Sequence, residues 1–275
     1  MIILLNNEQN FGNIYMVVFM KILNIKKLQS GKYKITFDNN EKLTLHDDII
    51  LKNNLLFHKE ITNEEFNELN KENNNYNNYA KVLKYISYKM RSTKEVKEYL
   101  KKLKCSEFEQ SEIIEKLINN KLINDELYVK SFINDKINLS LDGPYKIRRY
   151  LESQDIDSSF IDKELDKIDY EIFENKLKKI IEKKIKTNHK DSEYQLKKKI
   201  LEYCSNIGYP KDMINENLCD VKIDSSKIIQ KEYNLLYQKL DTKYDDNSIK
   251  YEIKKRLLNK GFKIEQINDV IENSE

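Results

Sequence analysis

Arg148 and Arg149 stand side by side in the stretch DGPYKIRRYLESQDID, just after the only Gly-Pro step of the chain. A guanidinium grips a carboxylate or a phosphate through two parallel hydrogen bonds, and this lysine-rich chain uses arginine sparingly. The pair, with Lys146 before it, is therefore a candidate for recognising an anion. Similar clusters return downstream as Lys197, Lys198 and Lys199, and as Lys254, Lys255 and Arg256. One such cluster is an ordinary solvated helix face. Three at one register of a repeated element would draw a basic stripe able to meet phosphates or an acidic protein groove. An earlier segment in that register has only Lys94 and Lys97, interleaved with Glu95 and Glu98.

Catalytic groupings are not apparent. His46, His58 and His189 are scattered, none at metal-ligand spacing from a cysteine or carboxylate, and there is no HExxH. The sequence has no GxxxxGK[ST], GxGxxG or GxSxG, and five isolated glycines cannot build a phosphate cradle. Cys105, Cys204 and Cys219 are too far apart for a CxxC pair or a disulfide framework. No catalytic residue, metal or cofactor is expected, and a cytoplasmic location is. The 18 tyrosines and 10 phenylalanines could stack on bases. Tyr85, Tyr99, Phe132 and Tyr150, however, fall on apolar faces and are assigned to core packing.

The elements that must position these residues are mostly helical. Five Gly and two Pro in 275 residues leave little to break a helix, while 39% hydrophobic residues suffice for buried cores. The net charge of +3, from 49 basic against 46 acidic residues, argues against wholesale coating of nucleic acid but permits local basic faces. Neither Met1–Leu5 nor Met16–Met20 reaches the length of a membrane span, and no signal-peptide pattern is present, so no membrane association is expected. Clean patterning begins at Met20, so residues 1–19 are expected to be a non-native or disordered leader, with translation starting at Met16 or Met20. Over 20–60, YKITF and KLTL alternate with period two, predicting a small β-meander with a short helix near Asp47–Asn53. Thr62 to Glu65 reads as a capping box, predicting a helix to about Glu72 and a hinge at Asn73–Asn78, together residues 61–78.

Beyond Tyr79 the chain repeats itself. STKEVKEYL, GPYKIRRYL, SEYQLKKKI and IKYEIKKRL overlay without gaps. Their apolar i, i+4 pairs are Val96/Leu100, Ile147/Leu151, Leu196/Ile200 and Ile253/Leu257. Each is preceded by a helical segment (Tyr79–Lys89, Glu126–Asn138, Phe173–Lys186, Lys231–Lys243) and followed by one carrying Ile113/Leu117, Ile161/Leu165, Ile214/Leu218 or Ile267/Ile271. The spacing of about 50 residues is that of a helical repeat unit. It predicts four three-helix repeats over 79–125, 126–170, 171–222 and 228–275, stacked as an elongated, curved array. Ser92 with Glu95 and Ser192 with Gln195 read as capping boxes, while Gly143-Pro144 starts the second middle helix. Gly208 and Gly261 suit left-handed helix ends, with Lys104-Cys105 and Asp155-Ile156 in the same role. Three-helix units also occur in helix-turn-helix DNA readers. Here the links between middle and third helices read as longer than that motif's turn, and no helix is rich in Arg, Asn and Gln.

These segments resemble the RecX family, regulators of the RecA recombinase. YISYKMRSTKEVKEYLKKL is similar to the family's opening, with Arg91, Ser92, Glu95, Val96 and Leu100 at matching positions. LINNKLINDELYVKSFINDK matches its link between repeats at Asp125, Tyr128 and Phe132, with Lys121 and Asn124 replacing the usual Gly and Asp. GPYKIRRYLESQDID resembles the Gly-Pro-x-x-Ile segment, with Asp155 in place of the second Gly. The resemblance is closest over 79–169 and weaker beyond. It implies a non-catalytic regulator in DNA repair, homologous recombination and the SOS response, and the repeat design needs no partner subunit, so a monomer is expected. Such a regulator binds the RecA–single-stranded DNA filament and modulates, chiefly by inhibition, RecA's ATP hydrolysis and strand exchange. The nine basic residues named above are the contacts inferred here from charge and register. Two other classes stay open: a repeat protein whose basic stripe serves nucleic acid directly, and a helical scaffold for an unrelated partner.

Overall fold

The computed structural model describes residues 2–4, 16–219, 221–241 and 246–274. It divides into two compact units, Met1–Asp125 and Glu126–Glu275. The first begins with an antiparallel sheet of β1 (Ile2–Leu4), β2 (Met16–Lys27), β3 (Lys32–Phe37), β4 (Lys42–His46) and β5 (Glu60–Thr62). β2, β3 and β4 form the meander, and β1 and β5 pair with the first half of β2. The expected leader falls largely on residues 1 and 5–15, outside the described residues; its described parts, Ile2–Leu4 and Met16–Phe19, lie in strands. Alternation along β3 and β4 buries Ile35, Phe37, Leu43 and Leu45 with Ile49 and Ile50 of α1 (Asp47–Lys52), while Tyr33 sits at the margin.

The helix expected to stop near Glu72 instead runs unbroken as α2 (Asn63–Ser87), and Asn73–Asn78 is no hinge. Its start is as read, a reciprocal capping box between Thr62 and Glu65. Asparagine disfavours helix interiors because its side chain competes for nearby backbone. Here three of those side chains, Asn73, Asn77 and Asn78, are engaged elsewhere. Asn73 Nδ2 donates to Thr44 O on β4 (3.0 Å), and Asn77 Oδ1 lies 2.9 Å from His46 Nε2 and accepts from Lys32 Nζ (3.3 Å). Asn78 Nδ2 donates to Cys105 Sγ (3.2 Å), and Tyr76 OH donates to Asp48 (2.9 Å). The asparagine run is the seam that holds the sheet against the helices.

With α3 (Thr93–Lys102) and α4 (Glu107–Asn119), the latter part of α2 closes the first three-helix group around Val82, Val96, Leu100, Ile113 and Leu117. The second unit repeats the grouping. Its helices are α5 (Asp125–Leu139), α6 (Pro144–Glu152) and α7 (Ser158–Leu165); α8 (Tyr170–Lys186), α9 (Glu193–Asn206) and α10 (Lys211–Cys219); α11 (Ser226–Leu240), α12 (Asp246–Asn259) and α13 (Ile264–Glu272). All four middle-helix apolar pairs are buried. The second and third groups share one core, and the fourth has its own.

The overlay holds at the buried pairs, but the middle helices differ in length. α9 and α12 are each 14 residues long, against 10 in α3 and 9 in α6. In α9 the surplus follows the apolar pair and buries Cys204. In α12 it precedes the pair and buries Ile249, so Ser248 lies inside the helix rather than at its cap. One added helical turn, about four residues, returns the chain to the same face, which is why the repeat tolerates it. The links between middle and third helices are also shorter than expected: Leu103–Ser106 joins α3 to α4, within the length of a helix-turn-helix turn. Chemistry, not turn length, sets the group apart from that motif, since α4 presents Glu107, Glu112 and Glu115 to solvent.

Every middle helix ends in a left-handed residue: Lys104 (φ 62°), Asp155 (φ 59°), Gly208 (φ 94°) and Gly261 (φ 79°). In the second unit these ends carry the next contact. Gly143 N–H donates to Ile207 O (2.7 Å) and Tyr145 N–H to Gly208 O (3.0 Å), so unpaired donors at the start of α6 meet unpaired acceptors at the end of α9. The opposed helix-dipole ends also attract. A Cβ on Gly208 would lie 2.3 Å from Lys146 N, and one on Gly143 2.5 Å from Gly208 C; two glycines read separately in the sequence are there for each other. The arrangement recurs one repeat later. Ser192 Oγ donates to Lys260 O (2.7 Å), and a Cβ on Gly261 would lie 2.9 Å from the Tyr194 ring. Ser192 thus makes only half of its expected capping box: it accepts from Gln195 N–H, with no return bond among the described residues.

Candidate binding surface

The nine basic residues share a register but not a situation. Lys146 reaches Asp142 (2.6 Å), which also accepts from Lys136 (2.8 Å). Burial opposes the charge on Asp142, but the hydrogen bonds from Lys136 and Lys146 outweigh it and hold the carboxyl below its usual range. Lys146 is therefore part of the joint between α5 and α6. Arg148 Nη2 donates to Asp162 Oδ2 on α7 (3.0 Å); its Nε, 2.8 Å from Oδ1, is not aligned for a hydrogen bond. In the fourth repeat, Lys254 occupies the equivalent position and donates to Asn268 Oδ1 on α13 (3.0 Å). In the second and fourth repeats the position following the first apolar residue of the buried pair thus ties the middle helix to the third. Lys197 pairs with Glu193 (3.0 Å), Lys199 with Asp191 (2.7 Å) and Arg256 with Glu252 (2.8 Å).

Three cations are left over. Arg149, Lys198 and Lys255 are exposed and make no ion pair among the described residues; the one bond of Arg149 runs to the carbonyl of Tyr145 on its own helix (3.4 Å). All three stand two residues after the first apolar residue of their middle helix, after Ile147, Leu196 and Ile253. The equivalent residue of the first repeat is Glu98, also exposed. Sequence register alone proposed nine contacts; side-chain pairing separates three free charges from six with internal work.

The aromatic residues assigned to the core sit instead at its rim. Tyr85 of α2 stacks on Tyr99 of α3 at 4.2 Å and 8°, and the Arg91 guanidinium covers Tyr85 at 4.0 Å. In the second repeat Phe132 of α5 stacks on Tyr150 of α6 at 4.5 Å and 10°, with Lys136 over Phe132 at 5.4 Å. The third keeps the cation and one ring, Lys184 at 3.9 Å from the Tyr203 centroid. Each middle-helix ring immediately precedes the last buried residue of its helix (Leu100, Leu151, Cys204), and a ring or a cation packs on it.

Reactive groups are muted. Burial pushes the Cys204 thiol up to about 11 and the Tyr209 phenol up to about 12, so both stay protonated at neutral pH. The cysteines are free. Among the described residues no group of three His, Cys, Asp or Glu side chains could hold a metal ion, and no helix is long and apolar enough to cross a membrane.

Residues 79–117 match the family model for the first three-helix domain of RecX. The regulatory protein RecX of Lactococcus lactis subsp. lactis is 31% identical over 264 residues, 91% of this chain and 97% of the relative. The chain belongs to the RecX family. Its RecX relative in Streptococcus agalactiae is 29% identical over 257 residues, 92% of this chain and 98% of the relative. A crystal structure of a regulatory protein RecX superposes with a TM-score of 0.61 at 24% identity, covering 74% of this chain and all of the other, which shows a shared fold. As a RecX protein this chain has a regulatory rather than a catalytic role.

Proposed function

We propose that this RecX protein binds the RecA–single-stranded DNA filament in the cytoplasm as a monomer, and inhibits RecA's ATP hydrolysis and strand exchange. Family membership over nearly the whole chain is the observation that carries this reading. The contacts proposed are Arg149, Lys198 and Lys255, free cations in three successive repeats. Each is weak alone in water, but tethered on one chain they act together, since the first contact raises the effective concentration of the others. The remaining basic residues of the register, Lys146, Arg148, Lys197, Lys199, Lys254 and Arg256, hold the surface in shape.

The test is RecA's single-strand-dependent ATP hydrolysis, titrated with this protein at moderate salt. Inhibition well below one molecule per RecA is expected, because each bound chain would span or cap several subunits. Unchanged hydrolysis at stoichiometric protein would overturn the reading.

A further inference from the structure

A further cationic face lies off the middle helices. α8 reads YEIFENKLKKIIEKKIK and buries Phe173, Leu177, Ile180 and Ile181. At 100° per residue, Lys179, Lys183 and Lys186 share the face turned away from that core, and Lys190 follows just past the helix end. All four are exposed, and their ammonium groups make no ion pair among the described residues. Their neighbours are occupied: Lys178 pairs with Glu174 (2.6 Å), Lys184 covers Tyr203, and Lys176 donates to the carbonyls of Ile137 and Ser140 at the end of α5.

Such a row repels itself, and Glu182, three residues after Lys179 and four before Lys186, offsets only part of that repulsion. Like charges at i, i+3 and i, i+4 destabilise a helix by about 0.2–0.5 kcal/mol per pair. Helix-dipole complementation acts only in the last turn, which accounts for Lys183 and Lys186 but not for Lys179, a full turn earlier. The other first helices carry far less: basic residues in the last turn number only Lys84 in α2, Lys136 in α5 and Lys239 in α11. A linear set of exposed cations spaced about 4.5–6 Å along the helix, unpaired among the described residues although Glu182 flanks it, complements a linear set of anions.

We propose that the Lys179–Lys183–Lys186 face of α8, extended by Lys190, binds the phosphate backbone of single-stranded DNA. This deepens the filament reading and rests on it for the choice of DNA over other polyanions. It assigns the DNA contact to the first helix of the third repeat and leaves Arg149, Lys198 and Lys255 for the protein side of the filament.

The test uses the full chain and a fluorescent oligothymidylate, with affinity measured between 50 and 300 mM salt, alongside inhibition of RecA. For single strands the slope of log affinity against log salt is about −0.7 per neutralised phosphate. The triple variant K179Q/K183Q/K186Q should lose about two units of slope and roughly a hundredfold in affinity at 0.1 M salt. The ion-paired neighbour serves as control: K178Q should leave the slope unchanged. An unaltered slope in the triple variant, with native helix content, overturns the proposal, as does wild-type protein that binds no oligothymidylate while inhibiting RecA. Neither of those results touches the filament reading, which fails only if RecA hydrolysis is unaffected by the wild-type protein.

Discussion

Two residues past the buried Val96 the first repeat presents Glu98, and two residues past the buried Ile147 the second presents Arg149. Much else about the two repeats coincides. Each middle helix buries an i, i+4 pair, ends in a non-glycine left-handed residue, and carries a tyrosine stacked on an aromatic ring of the first helix beneath a cation. The scaffold is thus written in the buried positions and turns, while the charge of an exposed position is free to differ from repeat to repeat. The first repeat, which also carries the sheet, is built to the same plan without the cation. Contact with an anionic partner is assigned to the three repeats of the second unit.

The largest expected effect breaks the scaffold at the end of the third repeat's middle helix, where glycine replaces the non-glycine residue of the first two repeats. Gly208→Ala would place a Cβ 2.3 Å from Lys146 N on a left-handed backbone, at a cost of ~3 kcal/mol from overpacking and strain together. Urea unfolding should show it as a lowered midpoint. Lys104→Gly is the opposite case in the first repeat. It relieves left-handed strain but adds chain entropy to the unfolded state, so a stabilisation of at most about 1 kcal/mol is expected.

Reversing charge separates surface from scaffold. Arg149→Glu, Lys198→Glu and Lys255→Glu together should raise the concentration needed for half-inhibition of RecA about a hundredfold, ~1 kcal/mol per lost contact, with the unfolding midpoint unchanged. Arg148→Ala should do the reverse: it loosens α6 from α7 by no more than about 1 kcal/mol, because the pair with Asp162 is partly exposed, and acts on inhibition only through that loosening. Glu98→Lys would give the first repeat the cation it lacks. If the register position is what matters, half-inhibition should tighten about threefold, equivalent to ~0.7 kcal/mol.

A pH titration sharpens the same division. The Asp142 carboxyl is held below its ordinary value in the folded chain, so its contribution is fully present above the unfolded pKa of about 3.9 and is lost as pH falls through the folded value. Asp142→Asn should therefore destabilise the second unit at pH 7 by more than it does at pH 3, as read from urea midpoints at the two values. Thiol labelling gives the smallest effect. At pH 8 exposed Cys219 should react, while Cys204, buried and raised to about 11, should be protected until the chain unfolds.

What was legible in the sequence were patterns local to one element: the alternation of β3 and β4, the i, i+4 pairs, the capping boxes at Thr62 and Ser92, and the left-handed positions at Gly208 and Gly261. What was not legible depended on partners far along the chain. Asn73–Asn78 reads as a helix breaker until β4 supplies Thr44 O and His46. Gly143 reads as a cap until Gly208 arrives from the next repeat. Arg148 and Arg149 are indistinguishable as neighbours in sequence, and only the placement of Asp162 on α7 separates the tethered guanidinium from the free one. The lysine face of α8 was available to simple helical spacing, but it lay outside the repeat register that drew attention to the middle helices.

The most direct measurement compares wild type with the Arg149→Glu, Lys198→Glu, Lys255→Glu variant in RecA's single-strand-dependent ATP hydrolysis, each titrated from far below to above one molecule per RecA. Substoichiometric inhibition by wild type is expected, with its loss in a variant that unfolds at the same urea concentration. Equal inhibition by the two proteins would contradict it, placing the filament contact on another face of the chain.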